Sequence, residues 1–165
     1  MGKKLGVEII RTAEVITFPF TDYFKGFERV QAVQHLFGEA TKAVLNDLRV
    51  EFRSGRGYMG VSDEDGHLSI RVNYLKNGDE MDIYLDIIHE LVHVKQFLEG
   101  KKLREGNFSY VDRPTEIEAY RHSVIEAKRL GLDEQRILEY LKTERMSDED
   151  LRRLANAVNI RIKRN

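Results

Sequence analysis

Residues 87–96 read "IIHELVHVKQ", and their period decides how the rest of the chain is organised. Successive helical residues advance about 100°, so His89 and His93 lie about 40° apart around a helix and roughly 6 Å along its axis. Two imidazoles placed this way can ligate one Zn²⁺ ion, and Glu90 beside them can reach a water on it. Ile83, Ile87, Leu91, Val94 and Leu98 form an apolar stripe that Ile88 and Val92 widen, so the helix reads as largely buried. Asp86, His89, Glu90 and His93 cut one polar notch into it. Buried polar groups need partners, and a metal would supply them. The competing reading is a notch that simply faces solvent. A chance H-E-x-x-H in a chain with so few histidines has odds of about 1 in 100, which favours the metal.

The 165 residues suit one domain, 1–165, with about 1–28 as an N-terminal extension and about 130–165 as a C-terminal helical segment. Hydrophobic residues at 41% and charged residues at 33% fit a soluble globular chain and exclude a membrane span or a disordered tail. A formal net charge of −1 gives no global attraction to nucleic acid or anionic lipid, so neither is expected as a partner. Cys is absent, so any metal must be held by His, Asp or Glu. Lysines followed by apolar residues at the N-terminus suggest a signal peptide, but Glu8, Arg11 and Glu14 interrupt it. Gly6 stands where myristoylation would want Ser or Thr. The expected location is the cytoplasm. High charge with no Cys and two Pro points to a heat-adapted source.

The order of elements predicts an α+β fold. Residues 6–18 read as extended, and "FERVQAVQHLFGEATKAVLNDL" as a helix carrying Val30, Val33, Leu36, Phe37, Val44 and Leu48. "RVEFR", "GYMGVS" and "HLSIRVNY" are strand candidates, the last two joined by the turn sequence "DEDG". Asp79 is placed to cap a helix from about Glu80 to Leu98, closed by Gly100. A second helix begins near Pro114 or Thr115, and two more follow around 133–144 and 148–162, the last announced by Ser147 and Asp150.

Two histidines leave zinc short of the three protein ligands usual at a catalytic site. The candidates lie in "DRPTEIEAYRH". On a helix Glu116, Ala119 and Tyr120 share one face, while Glu118 and His122 share roughly the opposite one. Ala119 is small enough for a close helix contact. Thr115-x-x-Glu118 has the form of a capping box, which accounts for Glu118 and leaves Glu116 for the metal. The plain alternative for Glu116 is a favourable charge at a helix N-terminus.

H-E-x-x-H followed by E-x-x-A on a later helix resembles the gluzincin branch of zinc metallopeptidases. Over about residues 29–125 the chain looks most like the small soluble archaeal minigluzincins. The resemblance implies a zincin-like fold and peptide-bond hydrolysis. It also implies one Zn²⁺ held by His89, His93 and Glu116, with Glu90 as general base. Membrane-bound relatives carry Asp directly after the Ala, where this chain has Tyr120. Asp86 or Asp112 is the expected substitute for orienting a histidine. The oxyanion formed in such a reaction needs a donor. Tyr120 is the residue chosen, with Tyr110 and His122 as alternatives. "HLSIRVNY" is the strand expected to bind substrate backbone by strand addition. His35 and His67 are read as structural or exposed.

Leu151, Leu154, Ala155, Val158 and Ile162 predict an amphipathic C-terminal helix that packs on the core; the sharper alternative is that this helix, or the N-terminal segment, lies across the cleft and keeps the enzyme latent. Two other classes stay open. One is a zinc-site binding module without peptidase activity. The other is a helix-turn-helix around "TERMSDED", with Arg152, Arg153, Asn156 and Arg161 facing DNA; its acidic turn argues against it.

Overall fold

A computed structural model describes residues 5–11 and 17–163. Strands β1 (Glu8–Ile9) and β2 (Thr17–Pro19), helix α1 (Phe20–Tyr23) and strand β3 (Phe24–Lys25) open the chain. β1 pairs antiparallel with β3, whereas β2 joins the main sheet. Val15 and Ile16, part of the expected extended run, lie outside the described residues. Arg11 donates through Nε to the Leu75 carbonyl at 3.0 Å and through its guanidinium to Gly78, tying this segment to the helices beyond. Phe20, Phe24 and Phe27 are buried together, and Phe27 stacks on Tyr84 with centroids 5.7 Å apart.

The single helix expected next is broken. A 3-10 turn at Phe27–Arg29 leads into α2 (Gln31–Phe37), and a second at Gly38–Ala40 into α3 (Thr41–Asp47). Gly38 has φ 55°, a left-handed angle that side chains disfavour, and it ends α2 there.

Strands β4 (Arg49–Arg53), β5 (Met59–Val61) and β6 (Leu68–Arg71) complete a four-stranded sheet in the order β2-β4-β6-β5. β4 and β6 run parallel; β2 and β5 are antiparallel to their neighbours. Val50 and Phe52, with Leu68 and Ile70, are buried and alternate with exposed or half-buried residues, the period of a strand with one face on the core. The "DEDG" turn forms as expected. Gly66 takes φ 75°, and a Cβ there would come within 2.4 Å of the Phe97 ring. His67 is structural, its ring nitrogens lying 2.5 Å from Asp65 and 2.8 Å from Glu51. "HLSIRVNY" behaves differently from expectation. It is extended only to Arg71, turns into α4 (Val72–Asn77), and as β6 has both edges paired, so it cannot accept a further strand. The free edge beyond it is that of β5.

α5 (Glu80–Leu98) has the expected bounds. Asp79 caps it by accepting from the Asp82 amide at 3.0 Å, and Gly100 closes it at φ 77°. A 3-10 turn at Tyr110–Asp112 precedes α6 (Pro114–Arg129), which packs against α5. Three small residues one turn apart, Ala119, Ser123 and Ala127, are wholly buried, which lets the two backbones approach. Ser123 Oγ donates across that contact to the Leu85 carbonyl at 3.1 Å.

The capping box at Thr115 does not form. Pro114 occupies the first helical position, so Arg113 stands at the cap. Thr115 instead donates to the Leu103 carbonyl at 3.0 Å. α7 (Glu134–Leu141) and α8 (Asp148–Ala157) follow, and Ser147 with Asp150 does form a capping box. α8 ends five residues short of the expected 162, because Asn159 turns left-handed at φ 60° and Ile160 folds back to the Ala155 carbonyl at 2.8 Å. Ile160 is therefore the buried residue, and Ile162 is exposed.

Candidate metal centre

α5 carries His89 and His93 on one face, with their Nε2 atoms 3.2 Å apart. α6 brings Glu116 across to them, and its Oε2 lies 3.1 Å from His89 Nε2 and 3.2 Å from His93 Nε2. Three ligand-type atoms thus form a nearly equilateral triangle. Ligands at ordinary zinc distances in a tetrahedral site would stand about 3.3 Å apart, so the spacing suits that ion. Proton bookkeeping agrees. Gln96 Nε2 donates to the Thr115 carbonyl at 3.1 Å, which turns Gln96 Oε1 towards His93 Nδ1 at 2.7 Å. When neutral, His93 then carries its proton on Nδ1, leaving the Nε2 lone pair to face inward, the tautomer a metal requires.

The notch is not solvent-facing: His89, Glu90, His93 and Glu116 are 4%, 7%, 5% and 9% exposed. The ligand atoms of His89, Glu90 and His93 also lie within 4.8 Å of one another, so Glu90 is a possible donor by distance alone. Glu116 is the better one, since it touches both imidazoles while Glu90 Oε2 has no hydrogen-bond partner among the described residues. Burial pushes the Glu90 carboxyl up to about 8, with Glu116 and Asp86 adding to the effect and His93 opposing it. Glu116 goes the other way. Burial works against its charge, but the two imidazoles hold it far below the usual carboxylate range. His93 loses basicity to burial and more than regains it from Glu116, Glu90 and Gln96, reaching about 9. Burial lowers His89.

Neither Asp86 nor Asp112 orients a histidine. Asp86 accepts the hydroxyls of Tyr74 and Tyr140, and Asp112 turns outward to Ser109 and Arg153. His89 Nδ1 has no partner among the described residues. Tyr120 lays its ring against His89 instead, centroids 4.3 Å apart. Its hydroxyl meets that of Tyr110 at 2.8 Å, and burial raises its phenol well above the ordinary value. One phenol donates to the other, so the acceptor of the pair keeps a free O–H. His122 stays partly exposed, near Lys95, Glu118, Arg121 and His35.

Gln96 is the residue the sequence reading missed. The signal was available, since H-x-x-Q places Gln96 one turn beyond His93 on the same side of the helix. Gln96→Leu should weaken zinc binding about 10- to 100-fold, the usual cost of losing a residue that orients a ligand. Zinc titration against a competing chelator checks this, and unchanged affinity would remove Gln96 from the site.

Comparison of the chain with family models, curated proteins and solved structures finds no match.

Proposed function

We propose that the protein is a zinc-dependent peptidase of gluzincin type with a zincin-like fold. The observation that carries this reading is the triangle of His89, His93 and Glu116 beside a buried carboxylate, Glu90, whose Oε2 has no hydrogen-bond partner among the described residues. When bound, zinc supplies Lewis acidity, making water a stronger acid and a carbonyl a better electrophile. Glu90 takes the proton from water and delivers it to the leaving amine; its burial beside the two imidazoles and its unengaged Oε2 suit it to both transfers. The Tyr110–Tyr120 pair offers its free O–H to the developing oxyanion.

Substrate backbone adds along β5, the edge strand of the sheet that packs near α5. The enclosed site supports a latent resting form. α8 packs on the Tyr110–Asp112 turn, and Arg153 reaches Asp112 at 3.3 Å. Arg153→Ala, which frees α8 from Asp112 while leaving the buried Val158 and Ile160 in place, is the first variant for unmasking activity.

No helix among the described residues is long and apolar enough to cross a membrane. The DNA-binding alternative gains nothing from the ion pairs. Arg152 is paired with Glu149 at 3.0 Å and Arg153 with Asp150 at 2.9 Å, in a first helical turn rich in acid.

Metal analysis of protein purified without added metal should return about one zinc per chain, lost in His89→Ala and His93→Ala. A chain that takes up no zinc on titration ends the enzyme reading. A zinc-loaded chain that cleaves nothing in a broad peptide library, either as the parent or as Arg153→Ala, becomes a binding module instead.

A further inference from the structure

Asp86 precedes Glu90 by four residues, which sets the two carboxylates on one face of α5 about 6 Å apart along the axis. Its flanking residues Leu85 and Ile87 are wholly buried, yet Asp86 keeps part of its surface open. Tyr74 of α4 and Tyr140 of α7 each donate a hydroxyl to one of its oxygens. A carboxylate has room for about four such bonds, so half its accepting capacity remains. Tyr58 meets the Tyr74 ring edge-on at 5.1 Å and is itself exposed at the start of the free β5 edge.

Charge sets Asp86 apart. One turn earlier, Asp82 is paired with Arg136 at 2.7 Å. Among the described residues no Lys, Arg or His pairs with Asp86, and burial raises its carboxyl to about 7. A partly buried acid that lacks a countercharge and keeps half its accepting capacity has the composition of a cation site. The carboxylate supplies charge, and the exposed ring of Tyr58, next to Tyr74, supplies aromatic surface for cation–π attraction. A purely structural tie between α4, α5 and α7 would need an acceptor there but no charge.

We propose that Asp86, with Tyr58, Tyr74 and Tyr140, binds a cationic group of the substrate, an amine carried either by the peptide N-terminus or by a lysine-type side chain. This rests on the peptidase reading for the word substrate, but the binding itself is measurable without turnover. Isothermal titration would use the full chain, zinc-supplemented and chelator-treated in parallel. The ligands are an N-acetylated norleucine peptide, the same peptide with a free N-terminus, and the N-acetylated peptide with lysine for norleucine. At least one amine-bearing peptide should bind about 5-fold tighter than the neutral one, within the range of a partly desolvated cation–π and ion-pair contact. Which of the two gains identifies the source of the amine.

The advantage should vanish in Asp86→Asn, which keeps an acceptor for a tyrosine hydroxyl, and shrink in Tyr58→Ala, an exposed position that carries the test if the Asn variant fails to fold. Equal binding of all three peptides, no binding of any, or an advantage that survives Asp86→Asn overturns the proposal. Amine-dependent binding in a chain that cleaves no peptide, even with α8 released from Asp112, would sink the peptidase reading alone. Hydrolysis with no preference for an amine would sink this one alone.

Discussion

On the proposed peptidase reading, Glu90→Gln should abolish peptide hydrolysis while leaving zinc in place, with kcat falling by about 10²- to 10⁴-fold, the range for loss of a general base. Gln is nearly isosteric, so α5 and the two imidazoles keep their places. What it lacks is the capacity to take a proton. Glu90 is suited to that task by its surroundings. It is buried, its Oε2 has no hydrogen-bond partner, and its carboxyl is pushed up to about 8. Zinc content and hydrolysis are read on the same preparation, using whichever form of the chain is active. Cleavage at the parental rate would take the general base away from Glu90.

Glu116→Ala and Glu118→Ala should part company just as sharply. Glu116 reaches both histidines, so its loss removes a direct ligand and should weaken zinc by at least about 10-fold, matching or exceeding what the loss of an orienting residue costs. Glu118 accepts from Gln96 Nε2 at 3.2 Å, but the same amide also donates to the Thr115 carbonyl, which keeps Gln96 turned towards His93 without it. Because no capping box holds Glu118, its replacement should change stability by no more than about 0.5 kcal/mol, the ordinary range for a surface position. Chelator competition measures the affinities and denaturant unfolding of the metal-free chains measures the stabilities. Zinc lost from the Glu118 variant and kept by the Glu116 variant would reverse the assignment.

Helix α5 was legible in the residues alone, down to its Asp79 cap and its Gly100 stop, because helical hydrogen bonds join residues four apart and their signals are local. The same locality put His89 and His93 on one face, and shaped the β5–β6 turn and the Ser147 cap. Pro114 was a local signal misread by one position: a proline at the head of a helix prefers its first turn, which moves the cap to Arg113 and dissolves the box drawn at Thr115. Other features depended on partners distant in sequence. β6 alternates like an edge strand, and only its pairing with both β4 and β5 places it inside the sheet. The hydroxyls of Tyr74 and Tyr140 come to Asp86 from helices 12 and 54 residues away in the chain. Glu116 meets the histidines because Ala119, Ser123 and Ala127 let α6 settle onto α5, and Gln96 orients His93 because that contact supplies the Thr115 carbonyl. Periodicity assigns a face to each residue; which faces meet is set by the packing of side chains far apart in the chain.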